Sequence, residues 1–576
     1  MHSWDKMSAE ELAALLQVYG LPAAGSVDEM VSRLELHLQA EAPGLAFTSA
    51  GGGRAGEIAN GDAARPLAAI PGPGDADPEA YNGRNHNYLI ELHEQFGDIF
   101  AMNVSSMART EAAGKELKTV VFVRDPEHCR TVLLSDDFSK TWDADDVGTN
   151  TVDYVHNLIQ PMLTGTVFNQ QGEGGVHPGR RSLRAMFIAA QAFTEGFAEH
   201  VTSALDRLAW EDEEEVDMLE ISHNLIRESL FVVIAGGAAE ETHEATRETF
   251  HGAMQYFIHR YSAKEHSGEV NAEDERWMGL LHDAGRTTVD GWRAHHNMLS
   301  EEEKTGSAEA STMLAVMDSH GFSRDEMAAM LVNAIIAGSE APASSLAQTL
   351  QELAFNQPVQ ELLVKEVKKH GTDDVKKLRY LDAVMMEGLR RFAPATLVQR
   401  VAMVDCELGG YVIPAGTVVG VCVTAVHKNE SAFGDEAWEF IPNRGAAEEE
   451  PLNINMLTTK NPFMTFSGGP RGCPGKHIGV EMCRVALAKV MERFELLPSP
   501  GMDGARSAGN SIPKFVEWEI GGIPLAVRSR VGAPASASKA VAAASVKTSG
   551  YVQGGYVHAA VASGRGLLRV KEKASL

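Results

Sequence analysis

The sequence predicts a mainly α-helical globular protein with small β-sheets, and three observations support this. Apolar residues recur at helical spacing through the long middle of the chain, while β-branched runs are confined to short segments towards its two ends. The apolar fraction, 44%, is that of an ordinary soluble core. No apolar run reaches the roughly 18 residues of a membrane-spanning helix.

Composition excludes several function classes. The 576 residues carry 51 Lys+Arg against 79 Asp+Glu, a formal net charge of −28. General nucleic-acid binding depends on neutralising phosphates with cations, so this balance argues against it. Five cysteines in so long a chain cannot form a disulfide framework. Met1-His2-Ser3-Trp4-Asp5-Lys6 lacks the basic-then-apolar layout of a signal peptide, and a soluble, cytoplasmic protein without a transmembrane anchor is expected.

Residues 1–40 read as a small helical hairpin. Ser8 with Glu11 and Ser26 with Glu29 fit capping boxes, in which a hydroxyl and a carboxylate satisfy the free N–H groups of a helix start. Leu12, Leu15 and Leu16 face one helix, Met30, Val31 and Leu34 the other, and Gly20-Leu21-Pro22 ends the first. Residues 41–75, rich in Gly, Ala and Pro, read as a flexible linker. Residues 76–530 form the dense globular part. Asp98–Val104 and Leu117–Val123 read as strands, and Asp125-Pro126-Glu127 as a helix start with an acidic cap and Pro in the first turn. Ser323 and Glu326 form a capping box that opens a helix to about Phe355. Phe515–Ile520 and Ile523–Val527 flank Gly521-Gly522, a hairpin signal. Residues 531–576 are small and basic (Lys539, Lys547, Arg565, Arg569, Lys571, Lys573) and read as a disordered tail.

Cys129, Cys406, Cys422 and Cys483 sit in helical, strand or apolar patterns, where a thiol acts as a small hydrophobe. Cys473 differs. It lies in Phe466-Ser467-Gly468-Gly469-Pro470-Arg471-Gly472-Cys473-Pro474-Gly475, a Gly- and Pro-rich loop directly before a helix. A helix N-terminus and a neighbouring arginine both stabilise a thiolate, and a thiolate is a metal or haem ligand.

This decapeptide resembles the haem-binding loop of the cytochrome P-450 superfamily, Phe-x-x-Gly-x-Arg-x-Cys-x-Gly, with every fixed position filled. The resemblance implies the P-450 fold over residues 76–530 and a haem b cofactor with Cys473 as the iron ligand. It implies that Phe466 packs on the cysteine side of the haem, that Gly469 and Gly475 let backbone approach the sulfur, and that Arg471 pairs with a propionate. Glu387 and Arg390, spaced i, i+3, read alone as a surface ion pair. In their context, with Phe392-Ala393-Pro394 and Arg444 downstream, they resemble the family's structural Glu-Arg-Arg triad. His177, Arg181 and Arg400 resemble further propionate partners. Arg180, Arg181 and Arg184 also read as a basic face, which in this family can meet an electron donor. Gly410-Tyr411-Val412-Ile413-Pro414-Ala415-Gly416-Thr417 resembles the family's strand–turn signature.

The central helix departs from the pattern. Ala337-Gly338-Ser339-Glu340-Ala341-Pro342 keeps the Ala-Gly pair and the acid but places Ala341 where the family usually has threonine. That hydroxyl normally orients the water that delivers protons during dioxygen activation. Ser339 points about 200° away from position 341 on a helix, leaving Ser344 or a substrate hydroxyl as other candidates. Pro342 removes an N–H and predicts a kink with a free carbonyl at Gly338. Three readings stay open: a monooxygenase oxidising a hydrophobic substrate with electrons from a separate redox partner, with Glu340 and water delivering protons; a peroxygenase or hydroperoxide-rearranging enzyme; and a haem-binding sensor or scaffold. The substrate pocket is expected between residues 153–168 and Ala334–Ala341. Residues 7–38 resemble a SAP helix-extended-helix module. Val27 stands where that family has a basic residue, so a protein-interaction hairpin or small cap fits better than DNA binding.

Overall fold

The computed structural model describes residues 64–77, 86–105, 117–139, 194–207, 214–236, 271–300, 312–319, 321–444, 462–469, 472–499, 511–513, 517–519 and 522–530, with isolated positions between them. The helical hairpin of residues 1–40, the tail from 531, and the expected site residues His177, Arg181 and Arg471 lie outside these spans. So do the neighbouring Arg180 and Arg184 and the pocket segment 153–168.

The strands, in chain order, are β1 (Gly74–Asp75), β2 (Ile99–Ser105), β3 (Leu117–Val123), β4 (Phe138–Ser139), β5 (Glu214–Asp217), β6 (Leu397–Ala402), β7 (Cys406–Leu408), β8 (Tyr411–Ile413), β9 (Val418–Cys422), β10 (Phe494–Pro498), β11 (Ser511–Pro513), β12 (Glu517–Glu519) and β13 (Pro524–Ser529). The helices are α1 (His86–Phe96), α2 (Pro126–Leu134), α3 (Thr194–Arg207), α4 (Met218–Ala235), α5 (Ala272–Met298), α6 (Met313–Ser319), α7 (Arg324–Phe355), α8 (Gln357–His370), α9 (Arg379–Arg391), α10 (Val423–His427), α11 (Glu430–Phe433) and α12 (Lys476–Arg493).

The larger sheet has the order β1-β2-β3-β9-β6-β4. Its centre is the β-branched run Val120-Val121-Phe122-Val123, fully buried on both faces, with Phe122 paired to Phe100 and the two rings stacked at 5.0 Å. Asp125 caps α2 as its sequence predicts, its Oδ1 accepting from the N–H groups of Glu127 and His128. Residues 65–75, assigned by composition to the linker, pair with strands of two sheets instead, the β7-β8 pair and this larger one. Arg65 bridges to Tyr411, Ala101 N donates to Pro71 O, and β1 runs parallel to β2. A side-chain carbon at Gly72 would lie 1.7 Å from Ala101 O, so the glycine is what lets this segment close on β2.

The helical part packs around α7, which contacts α4, α5, α9 and α12. Ser323 and Glu326 exchange both capping-box bonds at its start, and the helix runs unbroken through Pro342 to Phe355. None of the helices among the described residues is long and apolar enough to cross a membrane.

Among the described residues, the strand pairing expected across Gly521-Gly522 is not formed. β12 pairs with β11, whereas β13 pairs with β10 and β5. Gly522 has φ +80°, and a side-chain carbon there would lie 2.3 Å from Asp217 Oδ2. Asp217 Oδ1 accepts from both Ile523 N and Leu219 N. Asp217, the last residue of β5, thus ties the start of α4 to the residue that precedes β13.

Candidate active site

Cys473 occupies the loop before α12. Its N–H donates to Phe466 O at 2.9 Å, Gly472 N donates to Gly469 O at 3.0 Å, and Ser467 N donates to Met464 O at 2.8 Å, so the loop is closed on itself. Ser467 sits at φ +56°, a left-handed conformation that costs a non-glycine residue on the order of 1 kcal/mol. Gly469 also has a positive φ, +66°, and a side-chain carbon there would lie 2.4 Å from Leu133 O on α2. Its smallness is therefore required for docking the loop on α2. Gly475 caps α12 with ordinary dihedrals and only Ile478 at van der Waals distance, so contacts within the chain do not require glycine there.

The thiols divide as the sequence suggests. Cys129, Cys406, Cys422 and Cys483 are buried, and Cys473 alone of the five is partly exposed. Burial pushes the Cys406 thiol up to about 11 and that of Cys483 to about 12, and also raises those of Cys129 and Cys422. These four stay protonated and inert.

Beneath the loop lies a buried charge network. Glu387 and Arg390 on α9 are both fully buried, with Arg390 Nε and Nη2 each 2.8 Å from a carboxylate oxygen. This excludes the surface-pair reading and fits the triad. Arg390 also donates to the carbonyls of His427, Ala437 and Glu439, while Ile441 N and Arg444 Nε approach Glu387 Oε1 at 2.9 and 3.4 Å. Arg444 donates in turn to Phe433, Glu436 and Glu439 carbonyls. Burial lowers its guanidinium from the ordinary value, opposed by Glu387. The network pins an irregular segment whose carbonyls have no ladder to join. Arg400, buried on β6, donates to Gln399 O and reaches Ser467 Oγ at 3.5 Å, so it stands beside the Cys473 loop.

On α7, every residue from Leu331 to Ala354 is buried except Ala334, Ala337, Gly338, Ala341 and Pro342. Their spacing of i, i+3, i+4, i+7, i+8 makes one stripe of small side chains on one face. A side-chain carbon at Gly338 would lie 3.2 Å from Leu230 of α4, so α4 crowds this stripe. The stripe ends where α7 meets α12: the Pro342 ring lies against Gly479, and Cys483 Sγ donates to Pro342 O at 3.4 Å. The helix behind the Cys473 loop therefore touches α7 at the end of its one open face.

Glu340 lies off this stripe, buried, with Oε2 2.8 Å from His223 Nε2 of α4. The two atoms are at ion-pair distance without the alignment of a hydrogen bond. Ser339 Oγ donates back to Ile335 O at 2.6 Å, so its hydroxyl is engaged within the helix, in keeping with its direction. Two residues of the site carry no signal of their own in the sequence. His223 sits in an ordinary helical pattern, and His427 ends an apolar run; only their partners across the fold mark them.

The donor set fits a haem. A single accessible thiol stands on a locked loop, a buried arginine beside it suits a carboxylate, and a wall of alanine and glycine suits a flat ring. The fold and site define a haem-thiolate protein, and a sequence profile described as Cytochrome P450 matches residues 79–516. The chain belongs to the cytochrome P450 family, whose members hold haem through a cysteine thiolate. Among curated relatives it is 37% identical over 175 residues to Cytochrome P450 734A5 of Oryza sativa subsp. japonica, covering 29% of this chain and 32% of that one. It is 31% identical over 208 residues to Indolin-2-one monooxygenase of Zea mays, covering 34% and 39%. These matches span about a third of the relatives' length. The crystal structure of the cytochrome P450DA heme domain shares the fold at a TM-score of 0.63 and 17% identity, covering 81% of this chain and 98% of that one.

Proposed function

We propose that the chain is a haem-thiolate monooxygenase that oxidises a hydrophobic organic substrate with dioxygen and electrons from a separate redox partner, with Cys473 as the iron ligand. The observation that carries this is the one partly exposed thiol among five, on a loop held closed by the Cys473–Phe466 bond. Bound haem supplies the activation of dioxygen for transfer of one oxygen atom to the substrate. The chain's own residues do the rest. Arg400, with Arg471, His177 and Arg181, holds the propionates; Phe466 and Gly475 face the sulfur side. The Ala334–Ala341 stripe shapes an apolar wall that orients the substrate and excludes water. Glu340, beside the stripe that carries Ala337, Gly338 and Ala341, holds a proton that dioxygen reduction consumes. Residues 76–530, extended back to Arg65 by its bridge to Tyr411, form the haem domain.

Ala341 favours a second reading. Without the alcohol, and with Ser339 engaged by Ile335, a peroxygenase or hydroperoxide rearrangement needs no electrons and no protons drawn from solvent, because the O–O bond arrives preformed and a hydroperoxide brings its own proton. Turnover assays separate the readings. Product formed from a bound hydrophobic substrate with a reductase and dioxygen supports the monooxygenase. Product from an organic hydroperoxide without reductant supports the second reading, and neither result leaves a haem-binding sensor or scaffold.

A further inference from the structure

We propose that His427 is a positioning residue for the cysteine ligand: its neutral imidazole ties the end of α9 to the loop that carries Cys473. The inference rests on the assignment of Cys473 as ligand. His427 is fully buried at the end of α10. Its Nδ1 lies 3.0 Å from Arg390 O, and Met464 N donates to its Nε2 at 2.9 Å. A backbone N–H can only donate and a carbonyl can only accept, so both bonds require one state of the ring, neutral with the proton on Nδ1.

Each partner matters to the site. Arg390 O belongs to the last turn of α9, where carbonyls lack helical partners, so His427 acts as a side-chain cap. The His427 carbonyl accepts in return from Arg390 Nη1, so His427 and Arg390 are joined twice. On the other side, Met464 O accepts Ser467 N–H at 2.8 Å, closing the turn that sets Phe466, and Phe466 O accepts Cys473 N–H at 2.9 Å. The ring plane is fixed by stacking on Phe463 at 5.6 Å and by the edge of Phe433 at 5.8 Å. Thr465 Oγ1 donating to Leu389 O is a parallel tie from the same loop to α9. Burial first, then the Arg390 charge, hold the imidazole down to about 3, in keeping with a ring that stays neutral. A proton on Nε2 would face the Met464 N–H donor to donor and open the loop.

Holoprotein variants test this through the reduced CO complex, whose red-shifted Soret band reports an intact thiolate ligand. In His427→Leu, similar in bulk but unable to bridge, the ratio of red-shifted to unshifted complex should fall about tenfold, the scale of one buried hydrogen bond. His427→Gln, whose carboxamide can donate to Arg390 O and accept from Met464 N–H, should recover most of the ratio. A wild-type ratio in His427→Leu, or equal loss in the Leu and Gln variants, overturns the proposal. Ring 15N resonances of the ferrous CO complex of the unsubstituted protein give a second measurement that needs no variant. A protonated Nδ1 with a bare Nε2 is expected, and the opposite tautomer overturns the proposal. Failure of the ligand assignment reads out separately, as a red-shifted band that survives Cys473→Ser.

Discussion

His223 Nε2 lies 2.8 Å from Glu340 Oε2, joining α4 to the carboxylate that immediately precedes Ala341 on α7. The pair is nearly buried, so a change in one partner is felt by the other. Glu340→Gln keeps the shape and removes the acid. With dioxygen and a reductase, product formed per reductant consumed should fall by about ten- to a hundredfold. Hydroperoxide-driven turnover should stay within about twofold. His223→Gln should give a smaller loss, and the double variant should fall short of the sum of the two effects. Equal losses in both assays would show that Glu340 carries no proton for the reaction.

Cys473→Ser should abolish the red-shifted Soret band of the reduced CO complex while leaving the helical content by circular dichroism unchanged. The loop bond from residue 473 to Phe466 O is a backbone bond and survives the substitution.

Glu387 is fully buried between Arg390 and Arg444. Glu387→Ala strands the Arg390 charge with only carbonyl acceptors and should cost about 3–5 kcal/mol, measured by denaturant unfolding of the holoprotein. Arg444→Lys keeps the charge but cannot reproduce the donors to Phe433, Glu436 and Glu439. It should cost about 1–3 kcal/mol.

His93 on α1 is buried against Phe100, and desolvation lowers its pKa from 6.5 to about 4. The folded state therefore prefers the neutral ring. The stability this confers is complete above the unfolded value of 6.5 and is lost as pH falls towards about 4, at roughly 1.4 kcal/mol for each pH unit. His93→Gln, which can still donate to Gly97 O, should flatten denaturant midpoints between those pH values. An unchanged acid slope would show that other groups set it.

Interactions within a few residues were legible in the sequence. The Asp125 cap, the Ser323–Glu326 box and the closed loop around Cys473 each depend on residues separated by only a short stretch of chain. The linker boundary and the strand pairing across Gly521-Gly522 were misread for the opposite reason. Gly72 answers to Ala101, and Gly522 to the distant carboxylate of Asp217. A Gly- and Pro-rich segment looks like a linker until a strand edge is available to receive it.

The sequence by itself determined the helical class and the family and singled out Cys473 as the candidate ligand, because a decapeptide with a nucleophile at a helix start carries its chemistry locally. Only the tertiary structure decided which charges are buried: Glu387–Arg390, read alone, is a surface pair, and it is the segment of Ala437–Arg444 covering α9 that buries it as the resemblance implied. It also decided the partners of Glu340 and Cys473's loop. His223 and His427 come from separate helices, and no local pattern specifies which imidazole the fold delivers to a buried carboxylate or backbone amide.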